Sequence, residues 1–203
     1  MSPVLTTARL PQSGNAALAA GALIQAALGL EFVFAGLNKT VNPNYLEQFS
    51  GFVQNSPAAT GGPLAPVLQR LVLPNLELAA TLARLTELVA GAVLLLTAFE
   101  VLRRRFAAPF GAQHGYEPLV ALASSLAAFA VGTMSLVIYV LEGGRLPSVN
   151  ANFSLSSPIA IKLLIVPFAL GIAWLEFARF RALRAAASYP GHAPSKLPAP
   201  LMR

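Results

Sequence analysis

The chain has 203 residues, of which 56% are hydrophobic and only 11% charged. Soluble domains carry roughly 25% charged residues, so this composition, with a mean hydropathy of +0.64, reads as one integral membrane domain of a few spans. The net charge of +6 reads as membrane topology and not as nucleic-acid binding, because no basic patch is interleaved with aromatic residues. The absence of cysteine excludes a disulfide framework, thiol redox chemistry and an iron–sulfur cluster on this chain.

Residues 1–14 are polar and proline-containing and are expected to form a cytoplasmic tail. These residues do not resemble a signal peptide: Arg9 is a lone positive charge, and the apolar stretch after it is long enough to be expected to stay in the membrane. The first span is predicted over about 15–37, enough to cross a hydrocarbon core of roughly 30 Å. It contains Gln25 and Glu31.

The long connection that follows is not featureless. Asn42-Pro43 is a helix-start signal, with Asn as the cap and Pro in the first helical position. After it Tyr45, Leu46, Phe49, Phe52 and Val53 form one apolar stripe. The segment 42–73 is therefore expected to lie as short amphipathic helices at the membrane surface, the last of them stopped by Pro74.

The second span is predicted over about 76–99, with Glu77, Arg84 and Glu87 in its first half and Arg103-Arg104-Arg105 just beyond it. The third, about 118–141, has no charge; Ser124, Ser125, Thr133, Ser135 and Tyr139 are its polar groups. Ser157-Pro158 repeats the helix-start signal for a fourth span over about 157–175, with Lys162 near its start and Pro167 inside. Residues 183–203 are a basic, proline-rich tail. His114 and His192 fall outside the spans, which excludes a bis-histidine haem within the membrane, and neither has metal-site spacing.

The expected fold is thus an all-α, four-span membrane bundle, up-down-up-down, with short amphipathic helices between spans one and two. The positive-inside rule puts the Arg103–Arg105 run, Arg9 and the Arg-rich tail on the cytoplasmic side. Both termini are then cytoplasmic, and the expected location is a bacterial inner membrane.

Charges inside spans are rare and mark either a functional site or an ion pair that holds helices together. Glu31, Arg84, Glu87 and Lys162 all fall in the outer half by this topology, roughly 7–15 Å below the boundary at 1.5 Å per residue. Thr133, Ser135 and Tyr139 lie in the same half. Three readings stand side by side. The cluster can be interhelical glue that fixes helix register. It can be a quinone head-group pocket, with Arg84, Lys162 and Tyr139 as ligand-binding candidates. There a quinone carbonyl accepts from Arg84 or Lys162, and Glu31 or Glu87, the catalytic candidates, exchanges the quinol proton. It can also meet the charges of a partner subunit. Lys39, Tyr45, Phe49 and Phe52 read as interfacial residues, Lys39 by snorkelling. Trp174 and Tyr139 read as interface aromatics.

The run from Leu28 to Lys39 (LGLEFVFAGLNK), followed by Asn42-Pro43 and a Phe-rich amphipathic stretch, resembles the opening of the DoxX family. The run from Thr86 to Leu96 (TELVAGAVLLL) resembles that family's Glu-x-x-x-Gly-x-x-Leu-Leu segment. The resemblance covers about residues 28–105 and the four-span layout. It carries over Lys39, Glu87 and Gly91, and it implies either a small membrane subunit or the membrane half of a thiosulfate:quinone-type oxidoreductase. The longer 38–76 segment and the long basic tail depart from simple members and suit docking to neighbours.

Two functions from different classes follow. In the first the chain is a non-catalytic accessory subunit of a larger redox or photosynthetic membrane complex, bound to lipids and neighbouring subunits. In the second it is the membrane subunit of a quinone-linked oxidoreductase, not catalytic alone, with a soluble partner supplying the sulfur chemistry. No covalently bound cofactor, no metal and no nucleic-acid partner are expected; quinone and lipids are the expected small molecules.

Overall fold

The computed structural model describes residues 13–106, 117–144 and 159–187. The Ser157-Pro158 start signal, His114 and most of both expected tails lie outside them. Helix α1 runs over Ser13–Val41, α2 over Tyr45–Gln54, α3 over Pro57–Thr60 and α4 over Ala65–Val67. The long helices α5 (Leu76–Phe106), α6 (Glu117–Leu141) and α7 (Ile161–Ala187) complete the order. No strand occurs among the described residues, and four helical stretches are long and apolar enough to cross a membrane. The chain is an all-α, multi-pass membrane bundle.

The four long helices form a ring in chain order: α1 packs on α5, α5 on α6, α6 on α7, and α7 returns to α1 through the least extensive contact. Leu28, Phe32, Ala90, Leu94, Ala128, Val131, Ala169 and Ile172 fill the centre. Large apolar side chains such as Leu96, Phe99, Leu119 and Trp174 point outward, as they must where the solvent is lipid. Trp174 is 78% exposed, whereas Tyr139, also expected at the interface, is buried.

Glycine sets how closely α1 and α5 approach. A Cβ on Gly91 would stand 2.7 Å from the Val33 nitrogen and 2.9 Å from the Gly29 oxygen, so the two backbones touch there. A Cβ on Gly36 would meet the Leu88 side chain at 2.7 Å. Small residues let membrane helices approach to this distance, where dispersion replaces the missing hydrophobic drive. Polar ties add direction. Gln25 donates to Ser124 across the bundle, and Ser125 Oγ donates to the Ala173 carbonyl at 2.8 Å.

The connection between α1 and α5 differs from expectation in two places. Helix α2 begins at Tyr45, because Asn42 spends its Oδ1 on the Asn44 N–H (3.0 Å) in a turn through Pro43. Pro74 does not stop the helix before it. A π-helical turn over Leu68–Val72 and a 3-10 turn over Leu73–Asn75 carry α4 into α5. The Leu73 N–H reaches back to the Leu68 carbonyl, and that wide turn shifts the hydrogen-bond register where proline has no N–H to give.

The connection also has its own small core of Val53, Ala59, Leu68 and Leu141. Ser56 locks it to the bundle. Its Oγ donates to the Leu141 carbonyl at 2.7 Å and accepts from the Ala58 N–H at 3.1 Å, capping α3 with Pro57 in the first turn. Gly143 and Gly144, both at positive φ, end α6 next to this core.

Candidate functional site

At the α2 end of the bundle the long helices and the connection line an open cavity of about 650 Å³. Its walls come from the end of α1 (Ala35, Asn38, Lys39), the turn after it (Asn42), α2 (Tyr45, Gln48, Phe49, Phe52) and α5 (Ala79, Ala83, Glu87). Met134, Val137, Ile138 and Leu141 of α6 and Lys162 of α7 contribute as well. The space has a sequence cause. Ala79, Ala83 and Glu87 follow one another at i, i+4 and i+8, so one face of α5 presents two methyl groups above a carboxylate. Helix α2 lays its aromatic stripe over the gap.

Glu87 is the buried charge of the site; its side chain is 2% exposed. Lys39 Nζ donates to both carboxylate oxygens, at 2.7 and 2.5 Å. The pairing depends on the glycine contacts of α1 and α5, which bring the end of α1 against the Glu87 turn. Lys162 lines the same cavity, and its ammonium has no hydrogen-bond or ion-pair partner among the described residues. Tyr45 donates its hydroxyl to the Ala80 carbonyl at 3.1 Å. Burial against α5, with the Glu87 carboxylate nearby, pushes the Tyr45 phenol up to about 12, while Arg84 pulls the other way. Tyr45 therefore stays a donor throughout the physiological range.

The structure gathers part of the sequence-derived cluster and disperses the rest. Glu87 and Lys162 share the cavity. Arg84 and Tyr139 are not in its lining, and neither is Glu31, which is exposed on the outer face of α1. The residues read as interfacial, Lys39, Tyr45, Phe49 and Phe52, all line the cavity, with Lys39 as the partner of Glu87. The signal for that pairing was the Gly29, Gly36 and Gly91 set, which fixes the α1–α5 register.

Reasoning from charge alone also passed over Asn38, Gln48 and Glu142, which add polar groups to the cavity wall. At the far end of the bundle Glu176 is buried and takes a hydrogen bond from Arg179 Nη1 at 3.1 Å, a partner one turn along α7. No three His, Cys, Asp or Glu side chains come together as a metal site among the described residues.

The arrangement can hold an amphipathic molecule. The Lys162 ammonium, without a hydrogen-bond partner among the described residues, can donate to an acceptor on a head group, the Glu87–Lys39 pair offers both signs of charge, and aromatic and aliphatic walls take the apolar part. Comparison with known proteins finds no matching family model, no matching curated protein and no matching solved structure.

Proposed function

We propose that this integral membrane protein is the ligand-holding member of a larger membrane assembly, and that its cavity takes a molecule of the quinone class. One observation carries the reading: a cavity of about 650 Å³ has a neutralised Glu87–Lys39 pair and the Lys162 ammonium, unpaired among the described residues, in walls that are mostly aromatic and aliphatic. Small-molecule sites have volumes of about 300–1,000 Å³ and this mixture of apolar wall and few polar groups. A quinone carbonyl would accept from Lys162, and the ring would lie against Phe49 and Phe52. Lys39 already satisfies both Glu87 oxygens, so Glu87 exchanges a proton with a quinol only when Lys39 turns aside.

The DoxX resemblance supports the same site. Its three carried-over positions work together here: Gly91 sets the α1–α5 approach, and Lys39 and Glu87 pair beside it. The accessory-subunit reading is favoured by composition. The chain has no cysteine and no histidine in its spans, so electrons for a bound quinone would come from a partner.

The test is calorimetric titration of the purified full-length protein in nanodiscs with decylubiquinone. Saturable one-site binding is expected, weakened about tenfold in Lys162→Met by loss of one charged hydrogen bond, near 1.4 kcal/mol. No binding, or equal binding by the variant, refutes the reading.

A further inference from the structure

Glu31, like Arg84, is a charge that does not line the cavity. It lies near the middle of the Leu18–Val41 span, and its side chain is exposed. It has no hydrogen bond or ion pair among the described residues. Exposed at that depth means facing hydrocarbon, where ionisable side chains are strongly disfavoured and almost always find a partner.

The described residues of the bundle offer no such partner at that depth. The Gly29–Gly91 contact aligns α1 with α5, the Gln25–Ser124 bond aligns α1 with α6, and the Ser125–Ala173 bond aligns α6 with α7. A Cβ on Gly91 would sit between Val33 and Gly29, so these registers put Glu31 level with Gly91, Ala130 and Phe168. Within one turn of those three positions the sequence has no Lys, Arg or His. Lys39 is two turns away along α1, about 12 Å at 1.5 Å per residue, and is committed to Glu87.

A second copy of the chain cannot supply it either. Two copies with the same topology are related by an axis along the membrane normal, so residues of equal depth meet. The facing copy would offer the same cation-free level, and its own Glu31. Around Glu31 the exposed stripe of α1 is Ala20, Ile24 and Ala27, at i−11, i−7 and i−4, an apolar surface with small side chains that admits another helix closely.

We infer that this face of α1 docks a transmembrane helix of a different membrane protein, one that carries a lysine or arginine at mid-membrane depth to pair with Glu31. The surface is separate from the cavity, so the inference stands or falls apart from the quinone reading.

The experiment places the photo-crosslinker benzoylphenylalanine at Ala27 of the full chain in its native membrane. The expected result is one adduct with a membrane protein that has a basic residue in a span. Its yield should fall at least tenfold in Glu31→Leu and return when Glu31→Lys is combined with an acidic residue at the basic position of the captured helix. Glu31→Leu should keep the thermal stability of the parent in detergent and its decylubiquinone affinity, which separates lost docking from lost folding or lost ligand. No adduct, an adduct only with a second copy, or an adduct indifferent to Glu31 overturns the inference.

Discussion

The Lys39–Glu87 pair can be weighed by a double-mutant cycle. Lys39→Met leaves the Glu87 carboxylate, 2% exposed, without either of its hydrogen bonds. Breaking a buried pair from one side costs about 3–5 kcal/mol. The low end applies here, because Lys39 retains 28% exposure and so draws part of its stabilisation from solvent. Glu87→Gln keeps an acceptor for Lys39 and strands no buried charge, so its loss should be about 1 kcal/mol. Adding the two predicts a loss of about 4 kcal/mol for the double variant if the sites are independent. They are not, because the double variant has no stranded ion, and it should lose about 2 kcal/mol. The difference, a coupling of about 2 kcal/mol, is readable from unfolding of the full-length protein by steric trapping in bicelles. If the single losses add to within about 0.5 kcal/mol, the pair does not hold α1 to α5 and the account of the site is wrong.

Two further outcomes follow from the same geometry. Gly91→Ala forces its methyl to within 2.7 Å of the Val33 backbone nitrogen, so α1 and α5 must part and stability should fall by about 1–3 kcal/mol. Gly171→Ala meets nothing within 4 Å and should gain up to about 1 kcal/mol from helix propensity; thermal melts that rank the two alike would refute the contact. The Tyr45 phenol, raised from its usual 10 to about 12, contributes stability that is complete below pH 10 and is lost as pH rises toward 12. Stability–pH curves should show that alkaline slope in the parent and a smaller one in Tyr45→Phe; identical slopes would remove Tyr45 from the account.

The membrane class and the four long helices were legible in the sequence, because hydropathy over a span is a sum over neighbours in the chain and needs no knowledge of the fold. Glu87, Lys162 and the aromatic stripe of α2 were legible as unusual residues for the same reason. Their partners were not. Each charge could have met any other of opposite sign at similar depth, and which one it meets depends on helix rotation and register. Gly29, Gly36 and Gly91 set that register by contact between backbones, turning Lys39 from a surface anchor into the partner of Glu87. The same rotation turns Glu31 to the outside, away from the cavity. Pro74 shows the limit at shorter range, since a stop signal was overridden by a wide turn that changed the hydrogen-bond register before it. The sequence by itself determined that ions stand within the membrane; only the tertiary structure decided which of them share a cavity and which stands on the outer surface of the bundle, because pairing energy falls off over a few ångströms and only packing sets distances on that scale.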